Sequence, residues 1–116
     1  MKTRFVVFSI LAVLLAGCAQ ATQTGNPDWV DKLINQFTSE AVGNPPQSIW
    51  SYDYNGQTVY YVPPQCCDQY STLYDATGKV ICAPDGGIDG KGDGRCPDFY
   101  EKRSNEQLLW KDPRTR

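Results

Sequence analysis

The sequence predicts one small α+β domain: an N-terminal helix packed on a four-stranded antiparallel β-meander, stapled by disulfides, with a long Gly/Asp loop and a short C-terminal segment. Three observations predict it. Trp29, Val30, Leu33, Ile34 and Phe37 recur at helical spacing, Asn55-Gly56 sits between two alternating runs, and Cys66, Cys67, Cys82 and Cys96 form an even set.

The chain opens MKTRFVVFSILAVLLAGC, with Lys2 and Arg4 ahead of an apolar run from Phe5 to Leu15. That run is shorter than the roughly 20 residues of a transmembrane span and suits a secretory signal. It ends in Leu15-Ala16-Gly17-Cys18, which resembles the lipobox of bacterial lipoproteins. The resemblance implies a signal peptide at residues 1–17 and acylation of Cys18 with palmitate-type chains, so that the membrane itself becomes a partner. Two or more chains give stable anchoring where one gives marginal binding. Ala19 follows Cys18 where, in lipoproteins of Gram-negative bacteria, an aspartate would favour inner-membrane retention. The outer membrane of a Gram-negative envelope is therefore the expected location. Residues 18–26 make the lipidated cysteine and a small, polar tether. Eight such residues span about 16 Å root-mean-square, which keeps the domain at 27–114 close to the bilayer.

Asn26-Pro27-Asp28 opens the helix with a capping residue, a proline at the first helical position and an acid in the first turn. Gly43, Asn44 and Pro45-Pro46 close it. The next segment, SIWSYDYNGQTVYYV, is a hairpin on a type I′ turn. Its register puts Tyr52 opposite Val59 and Trp50 opposite Tyr61 on an aromatic face, with Asp53 opposite Thr58 and Ser51 opposite Tyr60 on a more polar one. The aromatic face is the expected seat of the helix. A second hairpin joins 71–75 to 79–82 through Asp75-Ala76-Thr77-Gly78, with Gly78 suited to a left-handed position. Pro97-Asp98-Phe99-Tyr100 reads as a short helical turn and Asp112-Pro113-Arg114 as the end of order; Gln107-Leu108-Leu109-Trp110 fits an edge strand or a helix begun by the capping pattern Ser104-x-x-Gln107, and the short strand is the favoured reading.

A domain this size has a core of marginal stability, so staples are expected, and the four cysteines beyond Cys18 supply them in an oxidising compartment. Adjacent residues of an extended chain point apart, and a Cys66–Cys67 bridge would close a strained ring. Cys66 and Cys67 are therefore each expected to reach one of Cys82 and Cys96. A redox site lacks a Cys-x-x-Cys, and a zinc site lacks both histidine and paired knuckles.

Histidine is absent from the whole chain, which excludes Ser-His and Cys-His nucleophile pairs and His-ligated metals. Loss of residues 1–17 removes Lys2 and Arg4 from 11 basic groups and nothing from 13 acidic ones, leaving 9 against 13 and a formal charge of −4. A chain so charged does not suit nucleic acid or anionic lipid surfaces. No catalytic constellation stands out, and an enzyme is not expected.

The segment PDGGIDGKGDGRCPDF, from Pro84 to Phe99, holds the remaining candidates. Asp85, Asp89 and Asp93 are candidate ligands for Ca2+, the one cofactor the sequence suggests. An EF-hand beginning at Asp89 would need an acid where Lys91 stands and a glutamate where Tyr100 stands, so only an irregular oxygen cage is left. A phosphate nest conflicts with three aspartates and has no Gly-Lys-Ser/Thr. A partner loop flanked by cysteines would present Lys91 or Arg95 to an envelope protease or hydrolase as an inhibitor does, although its glycines read as flexible. The ordinary reading is a backbone device: glycines take positive-φ turns and the aspartates cap them.

The strings VYYVPPQCCD, LYDATGKVICAPDGGIDGKGDGRCPDF and LLWKDPR together resemble a family of small bacterial envelope proteins described only as a domain of unknown function. The resemblance covers roughly residues 47–114, carried by Cys66-Cys67-Asp68, by Ile81-Cys82-x-Pro84-x-Gly86-Gly87 and by Gly92-Asp93-Gly94-x-Cys96. It implies a single domain and its cysteine framework, and it brings no catalytic residues. The expected function is a membrane-anchored envelope lipoprotein with a binding or structural role.

Overall fold

The computed structural model describes residues 25–115; the leader, Cys18 and the tether up to residue 24 lie outside the described residues. Helix α1 (Asp28–Ser39) is followed by strands β1 (Ser48–Tyr54), β2 (Gln57–Val62), β3 (Thr72–Tyr74) and β4 (Val80–Cys82). The short helix α2 (Phe99–Lys102) and strand β5 (Ser104–Lys111) complete the chain. The α+β class is as expected, but the antiparallel sheet has five strands in the order β4-β3-β2-β1-β5. The segment expected as a short strand is eight residues long and pairs with β1, two register shifts along the pair bending the edge. No helix among the described residues is long and apolar enough to cross a membrane.

The first hairpin forms in the expected register, Trp50 opposite Tyr61 and Tyr52 opposite Val59. Asn55 and Gly56 have φ of 50° and 74°, as a type I′ turn requires. The second hairpin also closes as expected, on Gly78 at φ 88°. The Asp75 carboxylate accepts from Thr77 N–H, the Thr77 hydroxyl and Lys79 N–H, and these bonds hold its pKa below the ordinary carboxylate value. Gly78 has a second reason to be glycine, since a Cβ there would run into the Trp29 indole.

The helix takes the other face of the sheet from the one expected. Val30 and Phe37 pack with Ile49, Tyr60 and Val62, and Trp29, Leu33, Ile34, Tyr74, Leu109 and Trp110 surround them. Trp29 meets Tyr60 edge-on at 5.0 Å between centroids, and its Nε1–H donates to Ala76 O at 3.0 Å. The physical reason lies in the strands. The face that carries Asp53 and Thr58 is exposed and polar at its turn end, while Ile49, Tyr60 and Val62 make its far half apolar around the small, buried Ser51. The aromatic face is then left for the C-terminal half. Phe99, 0 % exposed, packs with Tyr52, Tyr54, Val59, Tyr61, Leu73, Cys82 and Cys96. The sheet is thus covered on both faces, by α1 and by the loop with α2.

Both ends of the domain depart from expectation. Pro27 rather than Asn26 occupies the position before α1, and its carbonyl accepts from Val30 N–H at 2.9 Å with no side-chain cap at that position. Asp112-Pro113-Arg114 does not fray. Asp112 is buried, and the Arg114 guanidinium bonds it while donating to Phe37 O, Thr38 O and Glu40 O. Phe37 O also accepts from Glu40 N–H at 3.3 Å, so the guanidinium closes the C-terminal turn of α1 together with the backbone.

Candidate functional site

The loop from Ala83 to Asp98 leaves β4 and returns through Cys96, which is bonded to Cys82. Both cysteines are buried, at 1 % and 4 % exposure, and Phe99 packs in the same cluster. The two ends of the loop are therefore fixed to the core.

Its interior is fixed by backbone. Asp93 N–H donates to Ala83 O at 2.9 Å, Gly92 N–H to Gly86 O at 3.0 Å and Gly87 N–H to Gln69 O at 3.1 Å. Gly86 has φ 85° and Gly92 φ 72°. A Cβ on Gly86 would collide with Gln69 O, and one on Gly92 with Ala83 O. Here glycine supplies close approach and a left-handed backbone, not freedom of movement. The open, flexible loop expected here is instead tied down: Gly87 N–H reaches the 69–71 segment, Asp93 N–H reaches the end of β4, and Gly90 and Gly92 N–H close turns within the loop.

Asp85 pins the loop to the sheet. Its N–H and carbonyl both bond Ser71, and its carboxylate accepts from the Tyr61 hydroxyl at 2.9 Å. The Tyr61 and Tyr100 hydroxyls lie 3.0 Å apart. Burial is the first cause that pushes the Tyr61 phenol far above its ordinary pKa, with Tyr100 and Asp85 adding to it. Tyr100 is pushed up to about 12, again by burial first. The Arg103 guanidinium sits 4.6 Å from the Tyr100 ring and 4.8 Å from the Tyr52 ring, stacked between them.

The aspartates expected to share a cation are not brought together. Asp85 faces Tyr61, while Asp89 accepts from Lys91 N–H at 2.9 Å and Asp93 from Arg95 N–H at 3.0 Å. Among the described residues, no group of three or more acidic or thiol side chains gathers where it could hold a metal. Each exposed aspartate closes its own turn, as the backbone reading expects. Lys91 and Arg95 are exposed on the returning limb. The most exposed large apolar residue is one that the motifs of the sequence do not mark. Ile88 is 93 % exposed, next to Gly87, which abuts the ring of the exposed Tyr70. An isoleucine inside GGIDG was the available signal, since an apolar side chain in a polar turn has no local reason to be there. No pocket opens among the described residues.

The cysteine pairing corrects the expected connectivity. Cys82 bonds Cys96, and Cys66 bonds Cys67. Cys82 ends β4 opposite Leu73, on the face that Phe99 covers. Cys66 and Cys67 are exposed in the turn after β2, where Cys66 N–H donates to Asn44 O at 2.6 Å and the Gln65 side chain bonds Asn44 N–H and Pro45 O. These bonds tie the turn to the α1–β1 connection, away from Cys82.

Fold and site together define a small α+β domain that holds out a disulfide-closed, backbone-woven loop. The chain belongs to the family described as a domain of unknown function, DUF6970, whose model matches residues 35–112 and takes in all five strands. No curated protein and no solved structure matches it.

Proposed function

We propose that this chain is a lipid-anchored protein of the bacterial envelope with a non-catalytic binding role, and that the loop closed by Cys82 and Cys96 is its contact element. One observation carries the reading: Ile88 stands 93 % exposed on a loop whose base and interior are tied down. An exposed apolar side chain on a preorganised loop docks without the ordering cost that a floppy segment would carry. The anchor rests on Lys2, Arg4, the apolar run and the Leu15-Ala16-Gly17-Cys18 motif, and the outer membrane on Ala19. Inhibition of an envelope protease or hydrolase is the narrower form of the same reading, favoured by the rigidity of the loop and by the exposed Lys91 and Arg95 beside its tip.

The test places a photo-crosslinking amino acid at position 88 of the full-length protein in its own host. The reading expects one protein adduct of defined stoichiometry, lost when the same crosslinker sits on the exposed face of α1 at Lys32. Equal adducts from both positions, or none from 88 at normal abundance, would defeat it. Loss of adduct in Lys91→Ala or Arg95→Ala selects the inhibitor form. Labelled palmitate incorporated by the wild type and absent in Cys18→Ala tests the anchor separately.

A further inference from the structure

The two disulfides differ in setting. Cys82 and Cys96 lie in the core under Phe99, whereas Cys66 and Cys67 are both exposed in the turn that follows β2. They are neighbours in the chain, so their bond closes almost no loop and removes little freedom from the unfolded state. Stapling therefore does not account for it. The turn is held to the rest of the domain by other groups, the Cys66 N–H and the Gln65 side chain on residues 44–45. What distinguishes this pair is access from solvent together with a second sulfur on the adjacent residue. Exchange by an external thiol needs the first, and resolution of the resulting mixed disulfide uses the second.

We propose that Cys66–Cys67 is a reversible thiol–disulfide exchange site that takes electrons from a dithiol reductant, while Cys82–Cys96 stays inert. A thiolate of the reductant attacks one sulfur of the pair, a mixed disulfide forms, and the other cysteine leaves as a thiolate and takes up a proton. The second thiol of the reductant then attacks its own sulfur in the mixed disulfide and expels the remaining cysteine. Two electrons and two protons pass to the protein, and the reductant leaves as a disulfide. Reoxidation by a small disulfide runs the sequence backwards, the neighbouring cysteine acting as resolving thiol. A missing Cys-x-x-Cys does not exclude this chemistry, since adjacent cysteines supply the same pair of roles.

The experiment uses the full-length lipidated protein in detergent. It is exposed to rising dithiothreitol without denaturant, quenched with N-ethylmaleimide and mapped by mass spectrometry. Cys66 and Cys67 are expected to be alkylated as a pair at dithiol concentrations at least about tenfold below those that label Cys82 and Cys96, with circular dichroism unchanged. Labelling of all four together, or of Cys66 and Cys67 only on unfolding, would overturn the proposal. The selectively reduced protein is then given oxidised glutathione. The wild type is expected to regain its bond and retain no glutathione, whereas Cys67→Ser retains one. A wild type that keeps glutathione on the pair would also overturn it.

Discussion

Arg114 Nη2 lies 2.7 Å from Asp112 Oδ2, and the same guanidinium donates to Glu40 O at 2.9 Å. The Arg114 side chain thereby neutralises a buried carboxylate and bonds the carbonyls of Phe37, Thr38 and Glu40 where the first helix ends. Arg114→Ala should remove both functions and lower the melting temperature by several degrees, while leaving α1 in place because its apolar stripe is untouched. The measurement is thermal unfolding followed by circular dichroism.

Acid should attack the same contact. The Arg114 guanidinium holds the Asp112 carboxyl below its ordinary pKa, and Asp75 and Asp98 are shifted the same way, Asp75 by Thr77 and Asp98 by the Tyr54 hydroxyl and then Lys102. A carboxyl depressed in the folded state stabilises above its unfolded pKa of about 4, and that contribution is lost as pH falls through the lower folded value. The melting temperature should stay level from neutrality to about pH 5 and fall below it. Arg114→Ala should show a shallower acid decline than the wild type.

Phe99→Ala should be the most damaging single truncation on the loop-covered face. The ring is 0 % exposed and meets Tyr52 at 5.5 Å, Tyr54 at 5.4 Å and Tyr100 at 5.4 Å between centroids. Loss of a buried phenylalanine costs about 3–5 kcal/mol, read as a drop in the denaturant midpoint at unchanged slope.

Two glycines of the loop separate strain from crowding. Gly90 and Gly92 are both left-handed, at φ 74° and 72°, but a Cβ on Gly90 meets open space and one on Gly92 meets Ala83 O. Gly90→Ala should cost about 1–2 kcal/mol of backbone strain. Gly92→Ala should cost more, because the Asp93 N–H to Ala83 O bond must also shift. Equal losses in denaturant unfolding would show that the loop is looser than described.

Removing the two disulfides should have unequal effects. Cys82–Cys96 spans a sequence separation of 14, which corresponds to about 3 kcal/mol in the chain-entropy model, against about 1 kcal/mol for neighbours. Serine replacement of Cys82 and Cys96 together should therefore lower stability markedly more than replacement of Cys66 and Cys67.

A calcium titration should leave the melting temperature of the full-length protein unchanged within a degree or so, compared with chelator. Asp89 and Asp93 are each committed to a backbone N–H, and Asp85 faces Tyr61. A calcium-specific rise of several degrees would restore the oxygen-cage reading of these three aspartates.

The parts legible in the sequence were those written locally. Asn55-Gly56 and strict alternation gave the register of the first hairpin residue by residue, and Trp29 to Phe37 marked the helix. The face the helix covers was not legible, because β2 buries Val59 and Tyr61 on one side and Tyr60 and Val62 on the other. Alternation carries no direction when both phases are apolar. The partner of β5 was hidden because Ser48 and Lys111 meet only through the folded sheet. The order of the loop is hidden for a different reason: glycine composition signals permitted backbone angles, but the bonds from Gly87 to Gln69 and from Asp93 to Ala83 decide whether those angles move. Cysteine spacing points away from the Cys66–Cys67 bond the structure has, because the pairing follows from Cys82 and Cys96 being buried together in the cluster around Phe99, which spacing does not reveal.

The placement of β5 against β1 bears on how the molecule can be made. β1 is the first strand synthesised and β5 the last, and Arg114 comes later still. Until residues 104–114 are present, β1 has an open edge and the carbonyls of Thr38 and Glu40 lack the Arg114 guanidinium. A chain cut short before β5 would expose a strand edge of the kind that recruits other strands. The sheet cannot be completed progressively from its N-terminus: the free edge of β1 stays open until residues 104–111 have been delivered.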